Sequence, residues 1–285
     1  MRLVLLFLAA ALSWAQCKLP PICPSPIPLD MRFGYGPLDP PGLPIKPEQV
    51  KKGLQAGRKG NMIVDLTPTA EGIPTLRLYF PRSYKHGEPY KLMITLHGAT
   101  GNHNTFFGPL AQKLIKNYFV EAVEREGWVV ASPMSLQVTA LMGLTLDKSA
   151  WRPLQVLGII EMVKSMIGVD PEGKPALVGH SQGGRGALRV GVEYPDRFSS
   201  VVALAPFVPN DTVDSAEMGR AKTLRLYYGQ GAKDTLSCTK DAREWVAKAK
   251  KAGMENLVYD ERCDAGHPDI VVPTMDAVFQ FIAGK

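Results

Sequence analysis

The stretch Ala176-Leu177-Val178-Gly179-His180-Ser181-Gln182-Gly183-Gly184 decides the fold prediction and the search for a functional site. Its short apolar run is typical of a buried strand, and a glycine-flanked serine and the start of a helix follow directly. The pattern G-x-S-x-G is weak evidence by itself, because short motifs occur by chance. Its strand-turn-helix setting gives it weight, since such a tight turn lifts a serine oxygen above the sheet beside a helix N-terminus. An ordinary turn with a capping serine is the alternative.

Outward from this motif, strand-like and helix-like segments alternate along most of the chain. Apolar runs predict strands at residues 76–80, 91–96, 128–132, 176–179, 200–205, 223–228 and 257–260. Amphipathic patterns predict helices at about 110–125, 151–167, 240–252 and 273–283, besides the one that follows Ser181. Such alternation is the signature of a mainly parallel sheet covered on both faces. The sequence therefore predicts an α/β fold with a doubly wound sheet of about eight strands.

The composition fits one substantial domain and excludes several classes of protein. The chain has 285 residues, of which 45% are hydrophobic and 21% are charged, with a mean hydropathy of −0.05. These values exclude a disordered or collagen-like chain. The net charge of +6 comes from 33 basic and 27 acidic residues that are spread along the chain. A nucleic-acid-binding surface is clustered, so no nucleic acid partner is expected.

The first 15 residues have the pattern of a secretory signal peptide. Arg2 is a short basic region, residues 3–12 are an unbroken apolar run, and Ser13-Trp14-Ala15 has the small-x-small form of a cleavage site. The run is too short to span a bilayer, and no other segment predicts a transmembrane helix. We expect cleavage after Ala15 and a secreted or periplasmic protein that starts at Gln16. Lipoprotein anchoring at Cys17 is the alternative.

Residues 16–50 are interpreted as a proline-rich N-terminal arm. From Lys18 to Val50 the chain carries ten of its 24 prolines. Each proline fixes φ and removes a hydrogen-bond donor, so this segment is predicted to form neither a helix nor a central strand. An extended arm or a semi-rigid tether is expected instead. Residues 51–285 then form the main domain, which carries the candidate catalytic residues.

The four cysteines suggest disulfide bonds in an exported protein. The chain has an even number of cysteines, which in an oxidising compartment predicts two disulfide bonds. They are Cys17, Cys23, Cys238 and Cys263. Of the three possible pairings, Cys17 with Cys23 and Cys238 with Cys263 is the most local. No histidine lies near either pair at zinc-ligand spacing, so a metal site is not expected.

A serine hydroxyl needs a base to become a nucleophile, and His267 is the only histidine that follows Ser181. In the chain order that accompanies this kind of serine turn, the acid lies between nucleophile and base. Asp234 fits best, because it follows Gly229-Gln230-Gly231 at the end of a predicted strand. Asp260 and Asp264 remain as rivals. A bond between Cys238 and Cys263 would join the loop that carries Asp234, the acid loop, to the loop that carries His267, the base loop.

Acyl transfer also needs hydrogen-bond donors for the oxyanion that develops. One is the backbone N–H of Gln182, directly after Ser181. A second is expected in the glycine-rich turn His97-Gly98-Ala99-Thr100-Gly101-Asn102, which follows the predicted strand at 91–96. Ala99 is the first candidate there and Thr100 the second, although His97-Gly98 could belong to an ordinary turn.

Together, His97-Gly98, the GHSQGG segment 179–184, Asp234 and Gly266-His267 resemble the α/β-hydrolase superfamily. The resemblance covers the chain from about Leu76 to its end. Within the superfamily, the chain is most similar to secreted esterases of the feruloyl esterase and polyhydroxyalkanoate depolymerase type. The resemblance implies a serine esterase that cleaves small or polymer-borne esters through Ser181, His267 and Asp234, with an acyl-enzyme and no cofactor. The proline-rich arm departs from these families.

Substrate contacts are expected from side chains near strand ends, where ligand sites of such sheets collect. The candidates are Asn102, Phe106, Met142, Trp151 and Phe207. A serine peptidase or acyl thioesterase with the same serine turn is the alternative enzyme. A binding protein that kept the fold and lost the reaction is the alternative from another class.

Overall fold

A computed structural model describes residues 47–55, 62–66, 76–98, 116–133, 151–208 and 215–285. Its strands are β1 (Met62–Leu66), β2 (Leu76–Phe80), β3 (Lys91–Leu96), β4 (Trp128–Pro133), β5 (Ala176–His180), β6 (Ser200–Leu204), β7 (Leu226–Gly231) and β8 (Leu257–Arg262). They form one sheet in the order β1-β2-β4-β3-β5-β6-β7-β8. Only β2 runs antiparallel to its neighbours, and the other pairings are parallel. The predicted α/β fold is confirmed.

Helices cover both faces of the sheet. They are α1 (Pro47–Gln55), α2 (Lys116–Glu126), α3 (Pro153–Ile167), α4 (Gln182–Glu193), α5 (Ser215–Arg220), α6 (Thr239–Lys251) and α7 (Val271–Ile282), with a short 3₁₀ turn at Pro195–Arg197. The helices α2 and α7 bury their apolar sides in one core, and the other five pack in the core on the opposite face. Within the described ranges, no helix is both long and apolar enough to cross a membrane.

Alternation within the strands supplies both cores. In β3, Leu92, Ile94 and Leu96 face the larger core, whereas Met93 faces the core under α2 and α7. The strands β3 to β7 are buried on both sides, so they read in the sequence as mainly apolar runs. Because every strand from β3 to β8 runs parallel, their carboxyl ends lie along one edge of the sheet.

Three features differ from the sequence prediction. The prediction of no helix as far as Val50 is wrong at its end, because α1 begins at Pro47 and buries Val50 and Leu54 in the larger core. Proline is tolerated in the first helical turn, where its missing N–H has no partner to lose. The strand β7 spans Leu226–Gly231 rather than 223–228, and β1 was not predicted.

The turn from β5 to α4 depends on glycines that admit no side chain. A Cβ at Gly179 would lie 2.1 Å from the carbonyl oxygen of Gly183, and a Cβ at Gly183 would lie 2.0 Å from the carbonyl oxygen of Leu96. These atoms belong to the backbone and cannot swing aside. The first turn of α4 therefore packs directly on β3 and β5, which places Ser181 at the carboxyl edge of the sheet.

Replacing Gly183 by alanine should lower the free energy of unfolding by at least about 3 kcal/mol, because the new Cβ overlaps the β3 backbone. The matched control is Gly158→Ala in α3, where a Cβ would have no neighbour within 4 Å. That change should stabilise the protein by up to about 1 kcal/mol through helix propensity. Urea unfolding of both variants measures the difference, and equal stability would contradict the described turn.

Candidate active site

Ser181 occupies a strained backbone position between β5 and α4. Its φ of 58° and ψ of −120° lie outside the regions that a residue with a side chain ordinarily adopts. The conformation is held because the Ser181 N–H donates to the Leu204 carbonyl at 2.8 Å and the Ser181 carbonyl accepts from the Arg185 N–H at 3.0 Å. The side chain is partly exposed at the edge of the sheet, where a ligand can reach it.

A continuous series of hydrogen bonds joins Ser181, His267 and Asp234. The Oγ of Ser181 lies 2.8 Å from Nε2 of His267, and Nδ1 of His267 lies 2.8 Å from Oδ2 of Asp234. A buried carboxylate accepts, so Nδ1 carries the proton and Nε2 presents its lone pair to the serine hydroxyl. This is the arrangement in which a histidine can take a proton from serine. The structure thus brings together the three side chains predicted as nucleophile, base and acid.

Asp234 is completely buried and surrounded by donors. Its Oδ1 accepts from the N–H groups of Leu236 at 2.7 Å and Ser237 at 2.8 Å. Its Oδ2 accepts from Nε2 of Gln230 at 3.2 Å in addition to His267. These four donors replace the water that a buried carboxylate lacks. Both carboxylate oxygens are therefore fixed in place.

The rival acids lie elsewhere. Asp260 is also buried, but it accepts hydrogen bonds from Tyr227 and Arg262 rather than from His267. Asp264 is exposed on the loop after β8. Among the three candidates, only Asp234 is hydrogen-bonded to the imidazole.

Two further side chains contact His267. The hydroxyl of Ser237 donates to the Ala205 carbonyl at 3.3 Å, and its oxygen lies 3.4 Å from Nδ1 of His267. The Nε2 atom of His180 lies 2.9 Å from the backbone carbonyl oxygen of His267. Both the ring and the backbone of His267 are therefore held, which leaves its Nε2 directed at Ser181.

The structure describes only some of the predicted oxyanion donors. Gln182 is the first residue of α4, so its N–H belongs to the helix N-terminus beside Ser181. The turn after β3 lies close to the nucleophile, because a Cβ at Gly98 would lie 3.1 Å from Cβ of Ser181. His97 is buried, and its Nδ1 lies 2.7 Å from the Gly98 carbonyl oxygen. Ala99 and Thr100 lie outside the described residues.

Among the predicted substrate contacts, only Trp151 and Phe207 fall in described segments. Trp151 is only 2% exposed. It packs edge-on against the ring of His97 and touches Gly186, so the structure places it in the core behind the site. Phe207 is partly buried, and its N–H lies 3.4 Å from the Ser181 carbonyl oxygen. Substrate contact by either residue stays a prediction, and Asn102, Phe106 and Met142 lie outside the described residues.

Three contacts of the site escaped the sequence analysis. Ser237, Gln230 and the side chain of His180 carry no motif of their own, although His180 is part of GHSQGG. Gln230 could have been noticed as a polar residue in an otherwise apolar strand. Nothing local in the sequence marks Ser237, because its role depends on the loop that follows β7.

No cluster of three or more metal-ligating side chains occurs in the part of the chain that the structure describes. Cys238 and Cys263, the two cysteines of that part, are not free, and a disulfide bond between them stays a prediction. Cys17 and Cys23 lie outside the described residues.

The fold is similar to that of several solved hydrolases. An S-formylglutathione hydrolase from Agrobacterium tumefaciens is 20% identical, with 80% of this chain and 96% of that chain covered at a TM-score of 0.59. The S-formylglutathione hydrolase from Staphylococcus aureus is 14% identical over 79% of this chain and 98% of that chain, also at 0.59. A ferulic acid esterase is 15% identical over 79% and 97%, at 0.58. At these identities the likeness establishes the α/β-hydrolase fold.

The family follows from the sequence match. The esterase family model, described as "Putative esterase", matches residues 68–267. This range includes Ser181, Asp234 and His267, and it covers more than half of the chain. The chain therefore belongs to the esterase family and is a carboxylic ester hydrolase with an α/β-hydrolase fold.

Proposed function

We propose that this protein is an exported serine esterase in which Ser181 is the nucleophile, His267 the general base and acid, and Asp234 the group that orients His267. The single observation that carries the proposal is the hydrogen-bond series from Ser181 Oγ through the His267 ring to Asp234, with both distances at 2.8 Å. The strained backbone at Ser181 supports it, because such strain collects at reactive positions.

The reaction follows from these positions. Ser181 Oγ attacks the ester carbonyl carbon while its proton moves to Nε2 of His267, and the carbonyl oxygen becomes an oxyanion. The N–H of Gln182 and a donor from the turn after β3 stabilise that charge. His267 then gives its proton to the departing alcohol oxygen, which leaves an acyl group on Ser181. Water attacks this acyl-enzyme in the same way, with His267 as base, and releases the acid.

Asp234 supports both halves of the reaction. Its carboxylate holds Nδ1–H of His267 and stabilises the imidazolium that forms when Nε2 accepts a proton. The acid is buried and fully hydrogen-bonded, so it needs no reorganisation when that charge appears. Ser237 adds a second polar contact to the same ring nitrogen.

Ser181→Ala should lower kcat/KM for an active ester by at least about 10⁴-fold, because it removes the nucleophile and leaves the oxyanion donors. Ser199→Ala, at the opposite end of the sheet before β6, is the matched control and should behave like wild type. The panel comprises p-nitrophenyl acetate, a longer p-nitrophenyl acyl ester, methyl ferulate, a thioester and a peptide anilide. The preferred substrate separates an esterase from the thioesterase and peptidase alternatives. An active Ser181→Ala variant would contradict the proposal.

Asp234→Asn should lower kcat by about 10³- to 10⁴-fold with a small change in KM, because an amide at this position favours the wrong tautomer of His267. The exposed Asp264 provides the matched control, and Asp264→Asn should keep wild-type kcat. Steady-state kinetics on p-nitrophenyl acetate measure both. Wild-type kcat in Asp234→Asn, or a loss of kcat only in Asp264→Asn, would show that Asp234 is not the acid that orients His267.

Export and a bridge between the acid and base loops belong to the same proposal. The signal-like segment 1–15 supports cleavage after Ala15, and the positions of Cys238 at the start of α6 and Cys263 after β8 support their pairing. With 24 residues between them, such a bridge contributes about 3 kcal/mol through loop closure. It would also hold the two loops that carry Asp234 and His267.

The intact mass of the full chain expressed in a bacterial host, and recovered from the periplasm or medium, tests this part. The expected mass is that of a chain starting at Gln16 and lacking two hydrogens for each bridge. Non-reducing peptide mapping should join Cys238 to Cys263, and Cys238→Ser should lower both thermal stability and kcat. An acylated chain starting at Cys17 would indicate lipoprotein anchoring instead. Unchanged kcat in Cys238→Ser would remove the bridge from the account of the site.

A further inference from the structure

His180, the last residue of β5, touches the residue proposed as catalytic base. Its Nε2 lies 2.9 Å from the backbone carbonyl oxygen of His267, and the two imidazole centroids are 5.1 Å apart. A carbonyl oxygen only accepts, so Nε2 of His180 must carry the hydrogen. The residue directly before the nucleophile therefore donates a hydrogen bond to the backbone of the base.

The charge state of His180 suits a permanent donor. Burial and the nearby His267 lower its pKa to about 4, and the hydrogen bond to the His267 carbonyl and the negative charge of Asp234 offset only part of this. His267 and Asp234 are the titratable groups that face it. His180 therefore stays neutral when His267 gains a proton during the reaction, and no second positive charge develops beside the imidazolium.

The His267 loop has contacts at several neighbouring points. The carbonyl of Ala265 accepts from the N–H of Lys233 at 3.0 Å, and the N–H of Gly266 donates to Asp269 at 3.2 Å. The contact from His180 holds the backbone carbonyl of His267 itself, in addition to the contacts that the His267 ring makes with Ser181 and Asp234. This contact joins the base loop to the strand that carries the nucleophile.

We propose that His180 is a positioning residue, which keeps Nε2 of His267 within hydrogen-bonding reach of Ser181 by holding the His267 backbone. The inference rests on the proposed function, because it needs His267 to act as the base. It predicts that loss of the donor lowers turnover rather than substrate binding. A loop that drifts by about 1 Å costs up to about 100-fold in rate, although no reacting group is lost.

The test compares His180→Leu with His180→Gln, in which the amide N–H can reach the position of the imidazole Nε2. His180→Leu should lower kcat by about 10- to 100-fold and change KM by less than about 3-fold. His180→Gln should recover kcat to within about 3-fold of wild type. His86→Leu, at an exposed histidine on the opposite edge of the sheet, is the matched control and should keep wild-type kinetics.

A second readout uses the pH dependence of stability. The pKa of His180 is about 4 when folded and 6.5 in its ordinary state, so the unfolded chain takes up the proton first as the pH falls. Protonation of His180 therefore does not affect the free energy of unfolding above pH 6.5. Between pH 6.5 and pH 4 it lowers that free energy, because only the unfolded chain takes up the proton. Over this range the melting temperature of wild type should fall about 5 °C further than that of His180→Gln.

The outcomes separate this inference from the proposed function. If wild type is active, Ser181→Ala is inactive and His180→Leu equals wild type, the positioning role is wrong and the proposed function stands. Equal losses in His180→Leu and His180→Gln would also overturn it, because the donor would then not matter. Activity that survives in Ser181→Ala would overturn both.

Discussion

The site depends on one close backbone contact, the approach of the first turn of α4 to the strands β3 and β5. Gly179 and Gly183 leave no space for a Cβ between these elements, since a Cβ would fall 2.1 Å from a backbone oxygen at the first position and 2.0 Å at the second. The chain reverses from strand to helix at Ser181, which takes a positive φ that only its surroundings can maintain. The serine is lifted to the carboxyl edge of the sheet at the N-terminus of a helix, where negative charge is favoured.

The parallel sheet supplies the remaining groups. The loops after β7 and β8 lie at the same edge as the turn after β5, because parallel strands end on one side. Asp234 follows β7, and His267 follows β8. The hydrogen bond from Ser237 to the carbonyl of Ala205 joins the acid loop to the end of β6, and His180 joins the base loop to β5. The ends of β5, β6, β7 and β8 are thus connected to one another around the imidazole of His267.

The sequence predicted the parts of this arrangement that have a local pattern. Seven strands and the turn at Ser181 follow from apolar runs and glycine spacing, and Asp234 and His267 follow from chain order and strand ends. The helix α1 was missed because many prolines precede it, although Pro47 sits where a helix tolerates proline. The contacts of His180 and Ser237 could not be predicted, since the first joins residues 87 positions apart and the second joins residues 30 apart.

In the proposed reaction, Ser181 carries the acyl group during ester hydrolysis. The most direct measurement is the intact mass of the enzyme, quenched in acid within milliseconds of mixing with excess p-nitrophenyl ester, followed by peptide mapping. We expect one acyl group per chain on the peptide that contains Ser181, formed together with a stoichiometric burst of p-nitrophenol and absent from Ser181→Ala. An acyl group on another residue, or a burst that persists in Ser181→Ala, would contradict the proposed reaction.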